Sequence, residues 1–493
     1  MKKILILLAF IVSITIAVQA DESSVVSLVQ STTVSRASNL TYDDILALTR
    51  EAIDLAGGLN GIIKQGDVVV LKPNLVTSIW NWGSSGGRIP EFVNGVCTDR
   101  RVVQAVAQIV REIIGPYNPA TGRGKIIVIE GSAVGSTTIH YNNLGYTRAN
   151  LVHVDEIIAL ENEGTYVRAG DASGSMAFVT QVKLNNFVYN RAAGTAQFLR
   201  YYQNDGVYWV NKKMYEADAL ISIPVVKNHW NAVVTGGIKN ISIGAAPPSI
   251  YGNASNNIGR NNMVNHSSST LHDWIADYFA CLPADFVVMD GLQGLQNGPL
   301  PSVSSNNALG AHQKNLRSIL ASKDALAIDI VLSNILNWDY ATVPYLSILT
   351  ERGSVGPKPN GRVIQLRGNP KDIVVLGNKK VDDVRGIYRG SMQAGNVGAR
   401  ISEENQIKPA VRINSAQFSW NNLNLNLTLS SGGNNNVVKI DVYINGAYQI
   451  SFNTNMNTVS INTANLASGS HNIEVRAYTN YMYSAAANTT AIK

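Results

Sequence analysis

The chain has 493 residues, 45% of them apolar and 15% charged, enough apolar material for two or three domains and too much for bulk disorder. Its formal charge of +6 falls to +4 without the first 20 residues, which carry Lys2, Lys3 and no acid. The remaining basic residues are scattered, which argues against nucleic acid or an anionic membrane as a partner.

In chain order, the first feature reads as a secretory leader over residues 1–20. Lys2 and Lys3 precede the apolar run Ile4–Val18, and Val18-Gln19-Ala20 has the small residues of a cleavage site. The run is short for a membrane span, which needs roughly 20 residues. The expectation is an exported protein with no lipid anchor and no membrane span after cleavage. Cys97 and Cys281 are the only cysteines, expected as free thiols. Two cysteines cannot build a four-cysteine iron–sulfur or zinc site.

Ser24–Gln30 reads as a strand. Thr41–Leu59 reads as a helix, with Thr41 as N-cap, Asp43 and Asp44 in the first turn and Gly57-Gly58 at its end. Val68–Leu71 is a strand leading into Lys72-Pro73-Asn74. A long loop spans Ser78 to Gly95, and Asp99 caps a helix over Arg100–Ile114. Ile126–Ile129 is a strand leading into Glu130. Residues 150 to 215 are less regular and read as an insertion. Leu220–Val226 is a strand leading into Lys227-Asn228-His229, followed by a glycine-rich loop to about Asn265 and a helix over Leu271–Cys281. Phe286–Met289 leads into Asp290; Ile319–Ala321 reads as a short strand and Asp324–Leu336 as a helix.

These continuous apolar runs fit strands buried on both faces. The predicted fold is therefore α/β, a mostly parallel sheet with flanking helices over residues 21–404. Beyond about residue 405 the composition turns to Asn, Thr and Ser with alternating apolar residues. Val438–Ile444 and Tyr448–Phe452 around Asn445-Gly446 form a strong hairpin signal, and His471–Tyr478 is expected as the last strand. Residues 405–493 thus read as a small all-β sandwich similar to immunoglobulin-like domains, serving as a spacer or as an adhesive or polymer-contacting module.

Ligands of such sheets bind beyond the carboxyl ends of the strands. Lys72 is placed there directly after a buried run, so a carboxylate partner is expected, supplied by Glu130 or Asp290. Lys227, His229, Lys239 and Asn240 form the densest polar segment, with Gly236, Gly237 and Gly244 allowing close backbone approach. Gly131–Ser136 is similar to a phosphate-binding turn without matching a P-loop or dinucleotide pattern. A metal site from His229, His266 and Asp290 is open as an alternative. His272, near a predicted helix start, reads as structural.

The ordered set Val69–Leu75, Thr98-Asp99, Ile223–His229, Thr235 with Lys239-Asn240, His266, Val288–Gly291, Gly298-Pro299 and Ala321–Asp329 resembles the domain-of-unknown-function 362 family over roughly residues 25 to 400. The resemblance implies an α/β fold and places Lys72, Asn74, Asp99, Lys227, His229, Lys239, Asn240, His266, Asp290 and Asp329 as site candidates. Many relatives carry a ferredoxin-like segment whose cysteines this chain lacks, and the proline usual after the Thr-Asp pair is Arg100 here. The leading functional expectation is an enzyme for a small anionic substrate. Lys227, Asn240, Asn74, Asp99, Glu130 and Asp329 would bind it, and His229, Lys72 and Lys239 would carry acid/base chemistry of the isomerase or lyase type. A divalent-metal enzyme and a non-catalytic surface binding protein are the alternatives.

Overall fold

A computed structural model describes residues 23–79, 88–132, 135–163, 177–189, 205–251, 270–296, 298–299, 313–386, 398–453 and 456–493. The expected leader and His266 lie outside the described residues, as do parts of the loop Ser78–Gly95 and of the turn Gly131–Ser136. Among the described residues no helix is long and apolar enough to cross a membrane.

The large sheet contains, in chain order, β1 (Ser24–Gln30), β2 (Val68–Pro73), β3 (Lys125–Glu130), β4 (Glu156–Ala159), β5 (Ala219–Ile223), β6 (Val225–His229), β7 (Val233–Thr235), β8 (Phe286–Leu295), β9 (Ser318–Ser322) and β10 (Ile373–Leu376). A short ribbon, Gln313–Lys314, pairs beside β8. The spatial order is β10–β1–β9–β8–β5–β2–β3–β4. Only β9 runs antiparallel to its neighbours in that row, so the sheet is mostly parallel, as the apolar runs predict.

The two-residue period of a strand sends alternate side chains to opposite layers. Val69 and Leu71 join one apolar layer and Val70 the other; Ile126 and Val128 oppose Ile127 and Ile129 in the same way. The first layer is covered by α1 (Tyr42–Leu55) and α2 (Arg100–Ile114). The second is covered by α3 (Gly237–Gly244), α4 (Thr270–Cys281), α5 (Ala325–Ile335) and α6 (Pro344–Arg352). The predicted caps are present: Thr41 and Asp44 form a capping box on α1, and the Asp99 side chain accepts from Arg101 N on α2. Cys97 and Cys281 are both free and buried, one in each layer.

Three expectations need correction. The strand expected over Leu220–Val226 is two strands broken at Pro224, whose ring nitrogen has no proton for a ladder. After the break β6 continues beside the later part of β8 and pairs antiparallel with β7. Lys227, Asn228 and His229 are therefore strand residues, not loop residues. The glycine-rich loop expected to follow contains β7 and the helix α3. The insertion over 150–215 supplies the edge strand β4 and a ribbon of Val179–Lys183 with Val207–Asn211.

The C-terminal region is a sandwich of two antiparallel sheets. Its strands are β11 (Ala410–Ser419), β12 (Asn422–Ser430), β13 (Lys439–Ile444), β14 (Ala447–Phe452), β15 (Thr458–Asn462), β16 (Ser470–Tyr478) and β17 (Ser484–Ile492). The sheets β11–β12–β15 and β14–β13–β16–β17 enclose Leu423, Leu425, Ile440, Val442, Ile473 and Val475. Asn445 (φ 52°) and Gly446 (φ 81°) make the predicted tight turn. The strand expected to be last is followed by β17, whose alanines and threonines carry one large apolar residue, Ile492, at the end. Lys439 Nζ donates to Ile373 O (2.6 Å), Arg385 lies 3.9 Å over the Tyr483 ring, and Tyr483 OH bonds Asn337 Oδ1 (3.1 Å), joining the sandwich to the α/β region.

Candidate functional site

The neighbouring strands β2, β3 and β5, with β6 beyond, bring their polar ends together. Lys72 is fully buried, and its ammonium donates to Glu130 Oε2 (2.9 Å), Pro73 O (2.9 Å) and Asn240 Oδ1 (3.0 Å). Glu130 is the expected carboxylate partner; Asp290 is not. Glu130 also accepts from Leu75 N (3.1 Å) and Gly131 N (2.8 Å), so the pair fixes the ends of two strands. A buried ion pair is stable only when its remaining protons and lone pairs are satisfied, and here each ammonium proton has an acceptor. Asn240, on α3, completes the clamp: its amide donates to Lys72 O and Ser222 Oγ (3.0 Å each). At Gly244 any Cβ would collide with the Lys72 amine and the Glu130 carboxylate, so glycine is what lets α3 lie against the pair.

Lys227 is equally buried but differently placed. It donates to Asn74 Oδ1 (2.7 Å) and to Val96 O, both neutral. Among the described residues no carboxylate lies within salt-bridge distance of it. Burial pushes its pKa down to about 8. A neutral amine has two N–H bonds and one lone pair, so two acceptors satisfy it; the ammonium has a third proton with no acceptor among the described residues. The adjacent Cys97 thiol is pushed up by burial and stays protonated, so it supplies no counter-charge.

The β6–β7 ladder pairs Lys227 with Thr235 and His229 with Val233, which places Lys227, Thr235 and His229 on one face. Thr235 Oγ1 is buried without a hydrogen-bond partner among the described residues. The His229 ring accepts at Nδ1 from Asn231 N and Ala232 N (3.1 Å each), which leaves Nε2 to carry the proton of the neutral ring. His229 is thereby a donor at Nε2.

The acids sort differently. Asp99 caps α2 and is gripped by Arg101 (Nη2–Oδ2 2.8 Å, Nε–Oδ1 3.0 Å). Asp290 accepts from Asp99 N (2.7 Å) and Leu292 N (3.0 Å); burial, then the nearby Asp99 charge, pushes it up to about 7. Asp329 accepts from Gly237 N (2.7 Å) and Ile238 N (3.2 Å), capping α3, and burial pushes it up to about 7. The oxygens of Asp99, Glu130 and Asp329 thus meet backbone and cationic donors that anchor the ends of strands and helices. Of the three metal candidates, His266 lies outside the described residues, which leaves His229 and Asp290. Asp290 pairs with Val225, four residues before His229, about 13 Å along the strand, and both Asp290 oxygens are occupied. Among the described residues no three His, Cys, Asp or Glu side chains cluster as a metal site.

Lys239 is buried on α3 beside Asn240, and its charge reaches His272. Burial first, then the Lys239 charge, drives His272 down to about 4, against a bond from Nε2 to Asn231 O (3.1 Å). His272 stacks on Tyr345 at 5.7 Å, and its Nδ1 and the Tyr345 hydroxyl have no partner among the described residues. The sequence carried no sign of this pair, because α4 and α6 meet only in the folded chain.

The family model "Domain of unknown function (DUF362)" matches residues 69–334, just over half of the chain. The thylakoid-associated protein sll1697 of Synechocystis sp. (strain ATCC 27184 / PCC 6803 / Kazusa) is 24% identical over 359 residues, spanning 72% of this chain and 89% of that protein. Among solved structures, the lactate racemase apoprotein from Thermoanaerobacterium thermosaccharolyticum aligns with TM-score 0.30 and 11% identity, over 68% of this chain and 59% of that one. The Clostridium thermocellum CbhA fibronectin(III)-like modules align with TM-score 0.16 and 15% identity, over 27% and 56%. The chain spans little more than half of either structure, and likeness this distant carries no argument about activity. On the family match, this chain belongs to the family described as domain of unknown function (DUF362).

Proposed function

We propose that the carboxyl edge of the sheet is an acid/base site for a small carboxylate, with Lys227 moving the proton. The observation that carries this is the contrast between two buried lysines. Lys72 has three acceptors, one of them a carboxylate; Lys227 has two neutral ones and no ion-pair partner among the described residues. An unpaired buried charge is costly, so Lys227 either releases its proton or gains an anion. Both are what proton abstraction next to a substrate carboxylate requires. The neutral amine takes the proton; the resulting ammonium points its third N–H at the charge that develops. Thr235 Oγ1, on the same face, supplies a further hydrogen bond. His229 donates from Nε2, so it acts as acid or electrophile and Lys227 takes the base role first expected of His229 and Lys72. The expected leader would place this chemistry outside the cytoplasm.

Isomerisation and elimination next to a carboxylate both exchange the carbon-bound proton with solvent. Incubation in D2O with a panel of 2-hydroxy and 2-amino carboxylates of two to six carbons, followed by proton NMR, reads this directly. At least one member should lose its proton signal with the parent chain and keep it with Lys227→Met, a change of at least 100-fold in rate. Absence of exchange across the panel, with no carboxylate binding by the parent, would sink the proposal.

A further inference from the structure

The two hairpins of the sandwich solve the same turn with different residues. In β13–β14 the first loop residue, Asn445, has φ 52°; in β11–β12 the first loop residue, Trp420, has φ 54°. Asparagine visits the left-handed region readily, whereas a bulky side chain there is a rare, strained choice. Trp420 is also 94% exposed, so the strain is not repaid by burial. Strain of this kind persists where a residue is needed for something else.

Its surroundings say what that is. Along β12 the inward residues are Leu423, Leu425 and Leu427, while the outward ones are Asn422, Asn424, Asn426 and Thr428. Cross-strand register extends the outward face with Gln417 and Ser460 on either side of Asn424. Asn414 Nδ2 bonds Asn426 Oδ1 (2.8 Å) and Thr428 Oγ1 (2.9 Å), and Ser460 Oγ bonds Asn424 Oδ1 (2.8 Å), so the amides are held in rows. Strands about 4.8 Å apart make such rows a flat grid of donors and acceptors. Across these three strands Arg412 is the one charged residue. The joints to the α/β region come from the four-stranded sheet and its loops, through Lys439, Tyr481, Tyr483 and Ser484.

We propose that the outer face of β11–β12–β15, with Trp420 at its end, binds a neutral polysaccharide. Pyranose rings present a C–H face that stacks on an indole and a rim of hydroxyls that both donate and accept, as amides do. The near absence of charge fits a neutral polymer and not an acidic one. This site is independent of the chemistry at the carboxyl edge of the sheet.

The test uses the full chain in co-sedimentation with insoluble glucan, mannan and chitin, and in gels containing soluble neutral glucans. The expected result is retention by at least one polymer, reduced at least tenfold in Trp420→Ala and in Asn424→Asp/Asn426→Asp. Unchanged far-ultraviolet circular dichroism would show that both variants fold. Equal retention of Trp420→Ala, or no retention of the parent chain by any polymer, would overturn the proposal. So would Trp420-dependent partition into phosphatidylcholine vesicles or Trp420-dependent self-association without polymer binding, which would assign the indole to a membrane or a second copy.

Discussion

The two ends of the large sheet both pair buried charges, and they differ at one lysine of the carboxyl end. At the amino ends of the strands, acids staple the strand starts: Asp218 accepts from Val68 N (2.8 Å), Asp155 from Ile126 N (2.7 Å) and Asp285 from Leu220 N (2.8 Å). Each is met by cations from loops or helices: Arg123 on Asp218 (3.0 Å), Arg111 on Asp155, and Lys358 with Arg362 on Asp285. These charges are paired, and they fix register. At the carboxyl ends Lys72 and Glu130 repeat that arrangement, but Lys227 beside them has only neutral partners. The comparison teaches that burial of charge does not by itself mark function. What distinguishes Lys227 is a proton count that its surroundings do not match.

Substitutions at the two ends should therefore fail in different ways. The largest effect is expected at the amino end. Asp285→Asn leaves Lys358 buried without its counter-ion and should cost about 3–5 kcal/mol in urea unfolding, with activity per folded molecule unchanged. Lys227→Met should do the reverse, abolishing exchange while leaving the fold intact or firmer. Its pH signature has a definite sign. The folded pKa of about 8 lies below the unfolded 10.5, so the unfolded chain holds more protons between those values. The parent should therefore gain about 3 kcal/mol of stability, relative to Lys227→Met, as pH rises from 8 to 10.5. Equal pH profiles for the two chains would contradict this.

Smaller effects sharpen the same contrast. Asp329→Ala removes the cap on two N–H groups of α3 and should cost about 2 kcal/mol in thermal or urea unfolding. Proton exchange per folded molecule should persist, because both Asp329 oxygens are engaged by the N–H groups of α3. The smallest effect is expected in the sandwich. Trp420→Asn relieves a left-handed tryptophan and should raise stability by about 0.5–1 kcal/mol. A loss of stability there would mean the indole is held by the fold after all.

Much of the fold was legible because the responsible physics is local. Continuous apolar runs marked β1, β2, β3 and β8, and Thr41 and Asp99 marked two helix starts through their short capping side chains. Pro224 was visible in the sequence, yet the two strands on either side of it read as one, since the apolar run continues through the proline. The helix α3 was hidden by its three glycines, Gly236, Gly237 and Gly244, whose need arises from contacts with Asp329, Val287 and Lys72 far along the chain. For the site, residue types pointed to one edge of the sheet but not to the contacts each side chain makes there. Lys72, Asn74, Lys227 and Asn240 do converge; Asp99, Asp290 and Asp329 turn out to hold backbone. Which lysine has a carboxylate and which has only amides depends on contacts across 58 to 168 residues, and no spacing rule reports that.

The most direct test is the ionisation of Lys227 itself, followed by NMR of the lysine side chains with Lys227→Met to assign the signal. The account predicts an amine that titrates near pH 8 and moves upward when a small carboxylate binds. An ordinary value near 10.5, insensitive to every carboxylate tried, would show that its charge is matched in the folded chain and would contradict the role given to it.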